Sequence, residues 1–95
     1  MSIYEENAEL LKVLAHPVRI KIVQELITKG TCNVTELVDI LHIPQSTISQ
    51  HLAKLKSKKV IVNKRRGLEV HYSVSNSKAS SIIEILLDKK LVLLK

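Results

Sequence analysis

The residues able to carry reactive chemistry in this 95-residue chain are few. They are one thiol, Cys32, and four imidazoles, His16, His42, His51 and His71. No two of the histidines stand at a spacing that would put both on one helical face, so they do not suggest a metal site. A lone cysteine makes no intramolecular disulfide and has no resolving partner. Cys32 therefore reads either as a partly buried, inert thiol or as a redox or electrophile sensor, the second being favoured if a helix N-terminus lowers its pKa. Serine, histidine and aspartate all occur, but there is no nucleophile elbow, no Gly-rich phosphate loop and no paired-carboxylate cleft. Neither an enzyme nor a cofactor nor a small-molecule ligand is expected.

A different chemistry, hydrogen bonding to a polyanion, is concentrated in residues 43–59, IPQSTISQHLAKLKSKK. On a helical wheel of about 100° per residue, Ile48, Leu52 and Leu55 share one narrow arc that must pack inward. Ser46, Ser49, Gln50, Ala53 and Ser57 fall on the opposite arc, with Gln45 leading at the N-terminus. Such a face is low enough to let a helix backbone sit deep in the major groove of duplex DNA. Glutamine can bond adenine in bidentate fashion, and serine or threonine can bond bases or phosphates. The helix start offers free N–H groups to a phosphate. Between Asp39 and Glu69 there is no acidic residue, yet Lys54, Lys56, Lys58, Lys59, Lys64, Arg65 and Arg66 all lie there. A charge run is often no more than a solvated face, but this one continues from the polar helix towards flanking phosphates.

The elements that must hold these residues follow from hydrophobic periodicity. Residues 3–15 form a first amphipathic helix through Ile3, Ala8, Leu10, Leu11 and Leu14. His16 can cap a second helix and Pro17 suits its first position; Ile22, Val23, Leu26 and Ile27 form its buried stripe, and Gly30 stops it. Val34, Leu37, Val38 and Leu41 mark a short third helix that Asn33 or Thr35 can cap. Pro44 breaks the chain and opens the fourth, through about residue 58. The third and fourth helices with the break between them make a helix-turn-helix. VIVNKRRGLEVHYSV then alternates about a Gly-containing centre as a β-hairpin, its tip at residues 64–67. A last helix carries Ile82, Ile83, Ile85, Leu86 and Leu87, followed by residues 91–94, all apolar. The predicted fold class is mainly α with a small β-hairpin wing, in the order α-α-α-α-β-β-α, with residues 1–95 as one domain.

Composition bounds the partner. The formal net charge of +6 favours a polyanion, and the only aromatics, Tyr4 and Tyr72, are too few to stack unpaired bases. Double-stranded DNA is therefore the expected partner. The last helix has too wide an apolar circumference for one monomer face, and the first has surplus apolar residues. A homodimer through Ile3, Tyr4, Leu11, Ile82, Ile83, Leu86 and Leu87 is expected, with dimerisation helices at both ends. No apolar run approaches the roughly 18 residues that span a bilayer, and the acidic N-terminus has no signal-peptide pattern. No membrane partner and a cytoplasmic location are expected.

LLKVLAHPVRIKIVQEL, VTELVDILHIPQSTISQHLAKLKSKKVI and RRGLEVHYSV resemble the ArsR/SmtB family of winged helix-turn-helix transcriptional regulators over nearly the whole chain. They resemble in particular the metal-independent PagR-type regulators of Bacillus, which share a PQST.SQHL recognition helix and a GLE..YS wing. The resemblance implies a homodimer that binds an imperfect inverted repeat, usually as a repressor. It implies that Gln45, Ser46, Thr47, Ser49 and Gln50 face DNA, and that Lys64, Arg65 and Arg66 lie in the wing. Lys54 is expected to add a DNA-backbone contact beside them. Many members sense metals through a Cys-x-Cys pair, whose positions here hold Asn33 and Thr35. A second family site uses an Asp-x-His and a His-x-x-His pair, and here those positions hold Asn76 and Lys78, then Lys89 and Val92. None of these supplies the thiolate, imidazole or carboxylate such sites use, so no metal is expected. Two rivals stand beside a metal-free DNA-binding repressor: a regulator switched through Cys32, and a winged-helix protein-interaction module using its apolar last helix.

Overall fold

A computed structural model describes residues 1–88. Helix α1 (Ile3–Leu14) begins at Ser2, whose hydroxyl accepts from the Glu5 N–H while the Glu5 carboxylate accepts from the Ser2 N–H. Helix α2 (Pro17–Lys29) is capped by His16, whose Nδ1 accepts from the Val18 N–H at 3.1 Å, and it stops at Gly30, where φ is 83°. Helix α3 (Val34–Leu41) starts at Asn33, not Thr35; Asn33 and Glu36 form a reciprocal capping box. Helix α4 (Gln45–Ser57) follows Pro44, then strands β1 (Ile61–Arg66) and β2 (Glu69–Val74), then helix α5 (Ser77–Leu86), capped by Asn76. Among the described residues this is the expected order, five helices with a two-stranded antiparallel hairpin before the fifth.

The core that positions α4 is wholly apolar. Ile48, Leu52 and Leu55 of α4 pack with Val13 and Leu14 of α1, Ile22, Val23 and Leu26 of α2, Leu37 of α3, and Val60 and Ile61 at the start of β1. Burying a side chain of this size contributes roughly 1.5–3 kcal/mol, so three on one arc fix the rotation of α4 about its axis. The turn into α4 is set by His42, which takes a left-handed φ of 56° and donates its N–H to the Val38 carbonyl. That conformation ends α3 abruptly, leaving only Ile43 and Pro44 before α4.

Backbone hydrogen bonds hold the hairpin at two places. The backbones of Cys32 and Tyr72 exchange hydrogen bonds of 3.1 and 2.8 Å, which joins the α2–α3 connection to β2. The N–H groups of Ser75 and Asn76 both donate to the Val60 carbonyl, fastening the end of β2 to the start of β1.

Two expectations change. The hairpin turn is Gly67 and Leu68; Lys64, Arg65 and Arg66 belong to β1, paired with His71, Val70 and Glu69. Gly67 has a φ of 63° at the first central position, where a two-residue hairpin turn of type II′ favours glycine. Ile83, expected at a dimer interface, is 1% exposed, because α5 packs this residue and Ala79 onto the protomer's own core. The apolar run 91–94 lies outside the described residues.

Candidate nucleic-acid interface

The core-facing arc of α4 leaves its opposite arc to solvent. Gln45, Ser46, Ser49, Gln50, Ala53 and Ser57 are exposed, and Thr47 is half-buried on the flank. These short side chains form a low ridge whose donors and acceptors have no core partner to satisfy. Among the described residues, the N-termini of the other four helices each receive a side-chain cap, from Ser2, His16, Asn33 and Asn76. Helix α4 has none, because Pro44 occupies the cap position without a hydrogen-bonding side chain. Its first-turn N–H groups and the positive end of its dipole are left for an external acceptor.

Around this ridge the charge is mostly unneutralised. Lys54, Lys56, Lys58 and Lys59 are exposed along the end of α4, and Lys64, Arg65 and Arg66 are exposed on β1. The acid-free stretch is not wholly without an acidic neighbour once folded: Glu9 of α1 comes within 3.9 Å of Lys58. Arg65 is braced by a 3.1 Å hydrogen bond from its Nε to the Gly67 carbonyl, which leaves its two terminal nitrogens to other partners. Leu68 at the turn is 95% exposed, an apolar tip on a basic hairpin that periodicity did not single out.

Under α4, His51 accepts a 3.1 Å hydrogen bond at Nδ1 from Arg19 Nε, and Arg19 also donates to the Val13 carbonyl at 3.1 Å. The His16 ring stacks obliquely on His51, with centroids 4.4 Å apart. Burial holds the His51 imidazole below its ordinary value, and His16 and Arg19 push it the same way. His51 thus acts as a neutral acceptor that connects α4 to α2.

Cys32 is fully buried in the core. Burial pushes its thiol up, Glu36 and Glu25 add to the effect, and Lys29 opposes it. A helix N-terminus does not activate it, since Asn33 and not Cys32 caps α3. A sensing thiol needs access and thiolate character, and this position withholds both.

Three of the positions matched by resemblance to the family's metal sites, Asn33, Asn76 and Lys78, carry structural side chains. Asn33 caps α3 and its amide reaches Glu69 of β2 at 3.4 Å; Asn76 caps α5; Lys78 donates to Asn7 of α1 at 3.2 Å. These amides and an ammonium are not donors that fit a soft or borderline metal. Among the described residues, no group of three or more His, Cys, Asp or Glu side chains converges as a metal site. Lys89 and Val92 lie outside the described residues.

A helix-turn-helix with an exposed polar second helix and a basic wing is therefore in place, and known proteins share it. The bacterial regulatory protein arsR family matches residues 16–59, the span from the α2 cap to the end of α4. The transcriptional repressor PagR of Bacillus anthracis is 51% identical over 82 residues, covering 86% of this chain and 82% of that one. The chain belongs to the ArsR family. The crystal structure of PagR superposes on this ArsR-family protein with a TM-score of 0.82, covering 87% of this chain and 94% of PagR. The transcriptional repressor BigR from Xylella fastidiosa superposes equally well, at 0.82 and 34% identity, over 87% of this chain and 84% of that one. The HTH-type transcriptional repressor SmtB of Mycobacterium tuberculosis is 44% identical over 81 residues, 85% of this chain and 59% of its own length. This ArsR-family protein is a DNA-binding transcriptional regulator with a winged helix-turn-helix fold, in a family of regulators and not of enzymes. Among the described residues no helix is long and apolar enough to cross a membrane.

Proposed function

We propose that this regulator is a homodimeric repressor that binds an inverted-repeat operator through α4 and releases it without using the family's metal positions. The observation that carries the reading is the exposed, low polar arc of α4, uncapped at its N-terminus and flanked by exposed cations on both α4 and β1. Gln45, Ser46, Thr47, Ser49 and Gln50 read base edges, while Lys54, Lys64, Arg65 and Arg66 hold phosphates. Repression is the role named for PagR, SmtB and BigR. The dimer is supported by apolar surface on both terminal helices: Ile3, Tyr4, Leu11, Leu86 and Leu87 are exposed, and Ile82 is half-buried beside them. A two-fold axis through α1 and α5 would set two recognition helices about one DNA turn apart.

The test is selection of a binding site from a random duplex library, followed by titration of operator and random DNA. Replacing Ser49 and Gln50 with alanine lowers the ratio of operator to random affinity. An unchanged ratio removes α4 from base reading. Sedimentation of the DNA-free protein should give twice the protomer mass, and Leu11→Glu with Leu86→Glu should give one; a monomeric parent refutes the dimer.

A further inference from the structure

A cleft of about 370 Å³ lies between α1, α2 and α4, lined by Glu9, Lys12, Val13, Arg19, Lys54 and Lys58. Four cations and one carboxylate share it, and Glu9 is paired with Lys58 at 3.9 Å. Among the described residues, Lys12, Arg19 and Lys54 have no carboxylate partner, so three positive charges remain unpaired in the cleft. Arg19 is held in place by its bonds to His51 and the Val13 carbonyl, with donors left over. We infer that this cleft seats a phosphate of the same DNA duplex whose groove α4 enters, on the backbone strand opposite the one the wing contacts.

The position of the cleft relative to α4 supports this assignment, which rests on the DNA-binding reading above. On the helical wheel Lys54 and Lys58 fall on one side of Gln50, with Lys56 and Ser49 on the other. Lys56 shares a groove with Ile61, Val62 and Asn63 of β1, so that side of α4 faces the wing. Lys54 and Lys58 face α1 and α2. A major groove is about 12 Å wide and a helix with side chains about 10–12 Å across, so both groove walls come within reach of the helix flanks. The wing supplies cations to one wall. Lys12, Arg19 and Lys54 supply them to the other, and the two together would centre α4 over the base edges. Lys12 lies more than thirty residues before the recognition helix, outside the basic run.

The experiment is a salt titration of duplex binding by the full chain, comparing wild type with Lys12→Gln, Glu9→Gln and Lys29→Gln. Lys12 and Lys29 are both exposed, and Lys29 stands at the far end of α2. If Lys12 neutralises one phosphate per protomer, Lys12→Gln makes the slope of log affinity against log salt shallower by about 0.9 per protomer, equally for operator and random duplex. Glu9→Gln, which frees Lys58 and removes the only carboxylate of the cleft, makes binding tighter and the slope steeper. Lys29→Gln leaves the slope unchanged. Opposite signs for Lys12→Gln and Glu9→Gln cannot come from general damage to the fold. A steep wild-type slope that neither variant alters, or that Lys29→Gln alters as much, overturns the assignment while leaving duplex binding intact. A wild type with no salt dependence overturns the DNA-binding reading itself.

Discussion

The wing gives the sharpest quantitative expectation. Arg65 and Arg66 are exposed on β1, and only one guanidinium nitrogen between them, Arg65 Nε, is used internally. Replacing both with alanine removes two charges per protomer and four per proposed dimer. Each phosphate no longer neutralised lowers the salt slope by about 0.9, so four make it shallower by roughly 3.6. Between 50 and 200 mM salt, a fourfold change, affinity then falls by about 150-fold less than in wild type. The fold should not notice, since exposed substitutions away from caps and cores usually lie within about 0.5 kcal/mol. Fluorescence anisotropy with labelled operator and scrambled duplexes, each titrated at several salt concentrations, measures this directly. Both duplexes should be weakened alike. A slope unchanged from wild type, or a weakening confined to the operator, refutes the division between a wing that holds phosphates and a helix that reads bases.

Three further expectations concern the scaffold. Asn33→Ala removes the α3 cap and the hydrogen bond to Glu69, and urea denaturation should show a destabilisation of about 1 kcal/mol; an unchanged stability would mean the cap is idle. Cys32 should react with a thiol reagent only as fast as the protein opens, and Cys32→Ser should cost about 1–3 kcal/mol by burying a hydroxyl without a prepared partner. Rapid modification of the native protein would contradict that and revive a thiol switch. Because His51 binds its proton less readily when folded, the unfolded chain takes up that proton first as pH falls below about 6.5. The His51 contribution is thus complete above that pH and is lost towards the lower folded pKa. Stability measured by urea unfolding from pH 7.5 to 5 should fall, and His51→Gln should flatten the decline; identical pH profiles would disprove the role of His51.

Much of this architecture is local, and local patterns are legible in sequence. Ile48, Leu52 and Leu55 share an arc because a helix repeats every 3.6 residues, and the polar ridge follows from the same period. His16 and Pro17 marked the start of α2 because capping depends on neighbours two or three residues away. The hairpin was legible from alternation about Gly67, although its turn fell two residues later than composition suggested. Tertiary structure alone decided the rest. Glu9 meets Lys58, and Arg19 meets His51, across 49 and 32 residues of chain, pairings that no periodicity encodes. The same packing sent Ile83 into the core while its neighbour Leu86 stayed exposed, and sealed Cys32 behind β2. Sequence set which faces must be apolar and where the cations lie along the chain. Only the packing of α1 and α2 against α4 decided which of those cations stay unneutralised, because electrostatic partners are chosen by distance in space.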